Sequence, residues 1–397
     1  MAYGFQYIET PALEEAALFI KSIGKGTDVV DKEMYAFEDK DGSKVALRPE
    51  FTASIVRAYI NHGLHSLTQP VKVWTVGALF RHDRPQAGRF RQFHQFNCES
   101  IGEKNPSVDA EMIATAYHFI HDLGIDCHVY VNSIGTLEER ENYIVELVGY
   151  LRTKRSYLCE DCKKRINKNP LRVLDCKEAA CQEVVEEAPQ ILEWLGDKSK
   201  KHFMTVLEYL DEIEVPYMLR STLVRGLDYY TDTVFEIFED TTEEKSQNAL
   251  GGGGCYDGLV ELLGGKEPTP ACGFAIGLER VATVLRRRAE SGVSLIEDGT
   301  PTIFLAQLGD QARKRALRLV EDLRRAGIRV LHNLAKSSLK AQLEIADKYQ
   351  VTHTLILGQK EVQDETIILR DMDSGNQEII GLKKVANEVT KILNGQR

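Results

Sequence analysis

Two short apolar runs, 34–37 and 45–47, flank Asp39-Lys40-Asp41-Gly42. An Asp-Gly pair between apolar runs is a tight-turn signal, so this spacing predicts a hairpin. A second, longer hairpin is predicted over 71–99, with a polar loop carrying Asp83, Pro85 and Gly88 at its tip. Over 109–123 the apolar period is helical: Ile113, Ala116, Phe119 and Ile120 fall on one face. The pattern then changes. Residues 143–215 hold four of the eight cysteines and a run of lysines and arginines, and their later part reads as helix. Strand-like sequence returns at 233–238 and again before Gly277, so 143–215 is expected to be an insertion into a domain that closes behind it.

Residues 286–301, with Ser291-Gly292 and Asp298-Gly299, read as a linker. Strands are predicted at 303–308, 329–331 and 354–357, and helices at 310–326 and 338–349. Ala312, Ala316, Leu319, Val320 and Leu323 share one side of the first helix. Strand and helix alternating in this way predict a small α/β domain with a largely parallel sheet. The expected plan is a first domain in two parts, 1–142 and 216–290, the insertion 143–215, and a C-terminal domain 301–397.

Length agrees with this division, since 397 residues at roughly 150 per domain suggest two or three domains. Sixty acidic against fifty basic side chains leave a net charge of -10, which excludes a protein that grips nucleic acid through overall basicity but leaves room for local patches. No window approaches the roughly eighteen apolar residues a membrane helix needs, so no membrane association is expected. Residues 1–10 lack the features of a signal peptide. Eight cysteines in a chain this long do not make a disulfide framework, and a reducing, cytoplasmic setting is expected.

Candidate chemistry concentrates in a few places. Gln95, Asn97 and Glu99 alternate along one predicted strand and share a face. That face is either solvated or the polar floor of a binding site. Arg81 on the preceding strand and Arg89 across the loop favour the floor, because guanidinium groups beside a carboxylate and amides suit a ligand with anionic and cationic parts. His94, on the opposite face, reads as packed. Glu50 could accept hydrogen bonds from a substrate ammonium, although a surface carboxylate is the simpler reading. Arg225, Asp228, Tyr229 and Tyr230 stand in an apolar stretch; they either line a pocket or form an Arg–Asp pair with packed tyrosines. Gly251 to Gly254 lack the Lys-Ser/Thr of a P-loop and read as a flexible turn. A strand over 271–276 running through Gly277 into a helix with Arg280 can present an anion site.

The ten histidines show no metal-ligand spacing. Cys159-x2-Cys162 and Cys176-x4-Cys181 do resemble a structural zinc site; free buried thiols, or a redox pair at Cys159 and Cys162, are the alternatives.

In this order, the pieces resemble the histidyl-tRNA synthetase family of class II aminoacyl-tRNA synthetases. Phe80 to Gln86, continued by Arg89 to Gln95, resembles motif 2, and Gly277-Leu278-Glu279-Arg280 resembles motif 3. The histidine-specific element resembles Arg225 to Tyr230, partnered by Gly253 to Leu259. The resemblance implies an antiparallel catalytic sheet, a tRNA-facing insertion carrying Arg152, Lys154, Arg155, Lys163, Lys164 and Arg165, and an anticodon-binding α/β domain with Arg313, Lys314, Arg318, Lys336 and Lys340. It implies activation of L-histidine with ATP and Mg2+, transfer to tRNA(His), and a homodimer. Arg81 and Arg225 would clamp the α-phosphate and carboxylate, and Arg280, with Arg89 beside it in the ATP site, the γ-phosphate. Glu50, Thr52 and Gln95 would meet the α-amino group; Glu99 and Tyr230 the imidazole, with Tyr229 alongside. A non-catalytic regulatory subunit or an RNA-sensing module are the rival readings, but the intact histidine-specific element and the C-terminal domain favour the enzyme.

Three departures from the family pattern carry expectations. The chain starts inside what resembles motif 1, so a weakened dimer is expected. Phe51, where the family has a small residue, is expected to crowd the amino-group site. Cys255 replaces the usual arginine.

Overall fold

A computed structural model of the chain describes residues 3–83, 89–240, 249–288 and 303–393. They fall into two compact units: Tyr7–Thr205 with Pro216–Ser294, and Met1–Gln6 with Val206–Val215 and Leu295–Arg397.

The larger unit is built on an eight-stranded sheet in the order Gln6–Tyr7, Val71–Phe80, Gln92–Ile101, Ala271–Gly277, Ala249–Cys255, Thr231–Glu239, Cys127–Ser133 and Tyr217–Leu219. Pairing is antiparallel from Val71–Phe80 through Cys127–Ser133, and Tyr217–Leu219 joins Cys127–Ser133 in parallel. The long hairpin forms as expected, with Val71 opposite Ile101 and Phe80 opposite Gln92. Strand alternation puts Phe93, Gln95, Asn97 and Glu99 on one face and Phe96, Cys98 and Ser100 on the other.

Apolar rings cover that second face. Phe96 stacks on Phe119 with centroids 4.7 Å apart. Phe119 belongs to the helix Pro106–His121, which starts at Pro106 and is capped by Asn105, whose side chain accepts the Ser107 N–H at 3.0 Å. This helix is buried along nearly its whole length. The polar face of the sheet is left for a cavity.

The shorter hairpin is also as expected: Ala36–Glu38 pairs with Lys44–Leu47, and Gly42 takes the positive φ that the turn demands. Helices Leu137–Thr153, Glu160–Lys168 and Ala179–Glu186 build the inserted region, where Tyr143, Leu147 and Leu151 share a buried cluster with Cys162, Cys176 and Cys181. Gly251 to Gly254 are not a turn. They form the strand Ala249–Cys255, because only side-chain-free residues fit between its neighbours: a Cβ on Gly253 would lie 2.0 Å from the Gly273 carbonyl oxygen.

In the smaller unit, Val330–His332, Ile303–Gln307 and His353–Leu357 run parallel, as expected. Two further strands, Thr366–Asp371 and Gln377–Gly381, add antiparallel pairings, so the sheet is mixed rather than largely parallel. Ala312, Ala316, Leu319, Val320 and Leu323 of the helix Asp310–Arg325 are buried. Several of the unit's basic positions are already engaged: Arg313 with Asp310 at 3.2 Å, Lys314 with Glu208 at 2.5 Å, and Arg318 with Glu214 and Asp322. Of the expected linker, the start belongs to the helix Leu278–Arg288 and 289–301 lie outside the described residues. Among the described residues no helix is long and apolar enough to cross a membrane.

Candidate active site

A cavity of about 390 Å³ opens on the polar face of the large sheet. Phe93, Gln95 and Asn97 contribute to its lining, together with Gly251, Gly252, Phe274 and Ala275 of the neighbouring strands. Among the described residues five arginines line it: Arg81, Arg89, Arg172, Arg225 and Arg280. Such a concentration of fixed guanidinium groups suits a polyanionic ligand.

Each arginine is held by its surroundings. Arg81 Nε donates to the Pro49 carbonyl at 2.9 Å, and its guanidinium lies 5.4 Å from the Phe93 ring centroid. Arg89 pairs with Asp83 at 2.9 Å; the loop tip between them, with Pro85 and Gly88, lies outside the described residues. Arg280 Nη1 donates to the Ala249 carbonyl at 2.5 Å. Arg225 Nη1 donates to Glu236 Oε1 at 2.5 Å. Burial opposes the charge on Arg225, but Glu236 and Tyr230 hold its pKa above the ordinary value. A Cβ on Gly252 would stand 2.8 Å from Arg225 Nη1, so the glycine strand makes room for this ion pair. Arg225 therefore pairs with Glu236 and not with Asp228, which is exposed and accepts from Asn169 Nδ2 at 3.1 Å.

Glu50 is buried, contrary to the surface reading. Its Oε2 accepts the Thr52 N–H at 2.6 Å and its Oε1 the Ala53 N–H at 3.0 Å, which caps the helix Thr52–Asn61. Burial raises its pKa. Glu50, Thr52 and Gln95 all reach the cavity wall.

Glu99 lies one layer deeper. It accepts from Thr52 Oγ1 on one oxygen and from the Tyr256 hydroxyl on the other, both at 2.7 Å. It is almost wholly enclosed, and burial raises its pKa to about 8. In front of it stand Thr52 and three cavity-lining tyrosines: the rings of Tyr229 and Tyr230 are 4.7 Å apart, and those of Tyr229 and Tyr256 5.7 Å.

Other expectations change. Phe51 does not crowd the cavity; it is fully buried in the core under the Arg48 guanidinium, 4.5 Å from its ring centroid. His94 is not packed but exposed, with Nδ1 2.8 Å from Glu279 Oε1, because its strand face meets the start of the helix Leu278–Arg288. Cys255 is buried against Asp109, whose Oδ2 is 3.2 Å from the thiol and 2.9 Å from His202 Nε2. Glu236, Tyr256 and Arg172 line the cavity without having been singled out by role. Glu236 had a signal, as the one charge inside the apolar run 233–238. The four insertion cysteines converge, with sulfur atoms all within 4.8 Å of one another.

This sheet, its arginine-lined cavity and the helix after Gly277 make up a catalytic domain of the class II aminoacyl-tRNA synthetase kind. The family model described as histidyl-tRNA synthetase matches residues 1–281, and that described as anticodon binding domain matches 302–392. A protein of Dehalococcoides mccartyi named histidine--tRNA ligase is 45% identical over 390 residues, 98% of this chain and 92% of its own length. One of the same name from Halothermothrix orenii is 42% identical over 392 residues, with the same coverages. The crystal structure of apo histidyl-tRNA synthetase from S. aureus matches 97% of this chain and 90% of that one at a TM-score of 0.57 and 32% identity. The chain belongs to the histidyl-tRNA synthetase family.

Proposed function

We propose that the arginine-lined cavity joins L-histidine to ATP and passes the activated histidine to tRNA(His). The observation that carries this reading is the contrast within one cavity: five arginines along it, and a buried carboxylate with three tyrosines behind and beside Thr52. The chain is an enzyme of the ligase class, and histidine charging of tRNA is its function. The regulatory-subunit alternative is not favoured by relatives that are named as ligases along nearly the whole length.

In the first half-reaction a histidine carboxylate oxygen attacks the α-phosphorus of ATP, the bond from that phosphorus to the α,β-bridging oxygen breaks, and pyrophosphate leaves with its β,γ-bridge intact. Negative charges must approach each other, so the protein's contribution is positioning and electrostatic stabilisation. We assign Arg81 and Arg225 to the carboxylate and α-phosphate, and Arg89 and Arg280 to the remaining phosphates. Aminoacyl-tRNA synthetases use ATP and Mg2+; magnesium enters here with the triphosphate as part of the substrate. Glu50, Thr52 and Gln95 are assigned to the α-amino group. Tyr229, Tyr230 and Tyr256, with Glu99 behind them, are assigned to the imidazole, a small polar group that needs hydrogen-bond partners once it leaves water. In the second half-reaction a ribose hydroxyl at the tRNA 3' end attacks the carbonyl carbon and AMP leaves.

The 302–392 domain is assigned to the anticodon, and Cys159, Cys162, Cys176 and Cys181 to a structural zinc outside the chemistry. A homodimer is proposed as well, with Tyr7, Leu13 and Val76 exposed on the larger unit as its apolar contact residues. Sedimentation at micromolar concentration is expected to give a dimer; a monomer there contradicts it. The function itself is tested by histidine-dependent exchange of labelled pyrophosphate into ATP. Absence of exchange from folded protein contradicts the assignment.

A further inference from the structure

We propose that the four-cysteine cluster binds one zinc ion, and that this ion braces the wall of the catalytic cavity through the segment it encloses. The metal part stands independently of the assigned chemistry; the bracing part rests on it.

Four sulfur atoms within 4.8 Å of one another, with Cys159 Sγ 3.9 Å from Cys176 Sγ, come close to a tetrahedron. A zinc ion with Zn–S bonds of about 2.3 Å needs sulfur–sulfur edges of about 3.8 Å. Three of the four thiols are buried and all four are free. Backbone amides already point at the sulfurs: the Cys162 N–H at Cys159 Sγ, 3.4 Å, and the Cys159 N–H at Cys181 Sγ, 3.2 Å. Cys159 also caps the helix Glu160–Lys168. N–H donors and a helix N-terminus stabilise thiolates, the form that binds metal.

The residues between the two cysteine pairs do not stay within the insertion. Arg165 reaches Asp28 at 3.5 Å, and Asn169 donates to Asp228, the residue before Tyr229. Arg172 lines the cavity, its Nη1 3.5 Å from where a Cβ on Gly226 would stand. It is oriented by Asp175 at 3.0 Å, and Asp175 directly precedes the ligand Cys176. The connection thus runs from metal ligand to Asp175, to Arg172, to the cavity. Zinc lost from this site frees both ends of the segment, so the damage reaches histidine activation and is not confined to tRNA docking.

Metal content of the full chain, purified without chelator, is the first readout. About one equivalent of zinc is expected, and cobalt exchanged into the intact protein should give the intense visible bands of a four-thiolate tetrahedral site; less than about 0.2 equivalents together with no such bands overturns the metal site. Neither readout needs a variant to fold. For the bracing role, zinc is withdrawn from the intact chain and amide exchange is followed over 163–175. Faster exchange there, with a rise of about fivefold or more in the histidine or ATP KM for pyrophosphate exchange, is expected. Arg172→Ala should keep its zinc and reproduce the KM rise. Unchanged amide protection over 163–175 after zinc removal overturns the bracing, even if the chain shows no synthetase activity.

Discussion

Tyr256 donates its hydroxyl to Glu99 at 2.7 Å behind the cavity, while Thr52 holds the other carboxylate oxygen at the same distance. Two hydroxyl donors aimed at one buried group suit a carboxyl, both of whose oxygens can accept with or without its proton. An amide in its place accepts on one side and presents N–H groups on the other. Glu99→Gln should therefore raise the histidine KM about tenfold or more while leaving the ATP KM within about twofold. Pyrophosphate-exchange titrations of each substrate decide this; equal losses for both substrates contradict a role at the imidazole end.

The same burial makes a stability prediction. Glu99 is raised from 4.5 to about 8 in the fold. A carboxyl raised in this way keeps a proton that the unfolded chain releases, so its favourable contribution is complete below the unfolded value and is lost as pH rises through the folded one. Between about pH 5 and about pH 9, wild type should lose on the order of a few kcal/mol relative to Glu99→Gln. Urea unfolding of the ligand-free proteins across that range measures it, and parallel pH profiles contradict it.

Gly273 supplies the space that Glu99 occupies. A Cβ there would lie 1.6 Å from Glu99 Oε2 and 2.9 Å from the Cys98 carbonyl oxygen. Gly273→Ala should cost about 1–3 kcal/mol and displace the carboxylate. Thermal melting should show a lowered Tm with an accompanying rise in histidine KM. A variant with both values unchanged would mean that Glu99 is not confined.

Much of this was legible in the chain, for physical reasons that differ by element. Asp41-Gly42 between apolar runs encodes its hairpin locally, and so does the alternation that gathers Gln95, Asn97 and Glu99. Gly251 to Gly254 misled because their requirement is not local: each is small on account of atoms elsewhere in sequence, such as the Gly273 carbonyl beside Gly253. Glu50 and His94 failed for a related reason, since burial and partners come from tertiary contacts, the capped helix Thr52–Asn61 in one case and Glu279 in the other. Arg172 carries no pattern at all. Only the folding of the inserted segment onto the residues before Tyr229 brings it to the cavity.

Arg225 tests the central claim most directly. It is held by Glu236 at 2.5 Å on the cavity wall beside Gly252. The rate of histidine-dependent pyrophosphate exchange, at saturating histidine and ATP, should fall about 10²–10³-fold in Arg225→Ala that melts as a folded protein, because a charge partner of the transition state is gone. Exchange at a near wild-type rate from that folded variant would contradict the account.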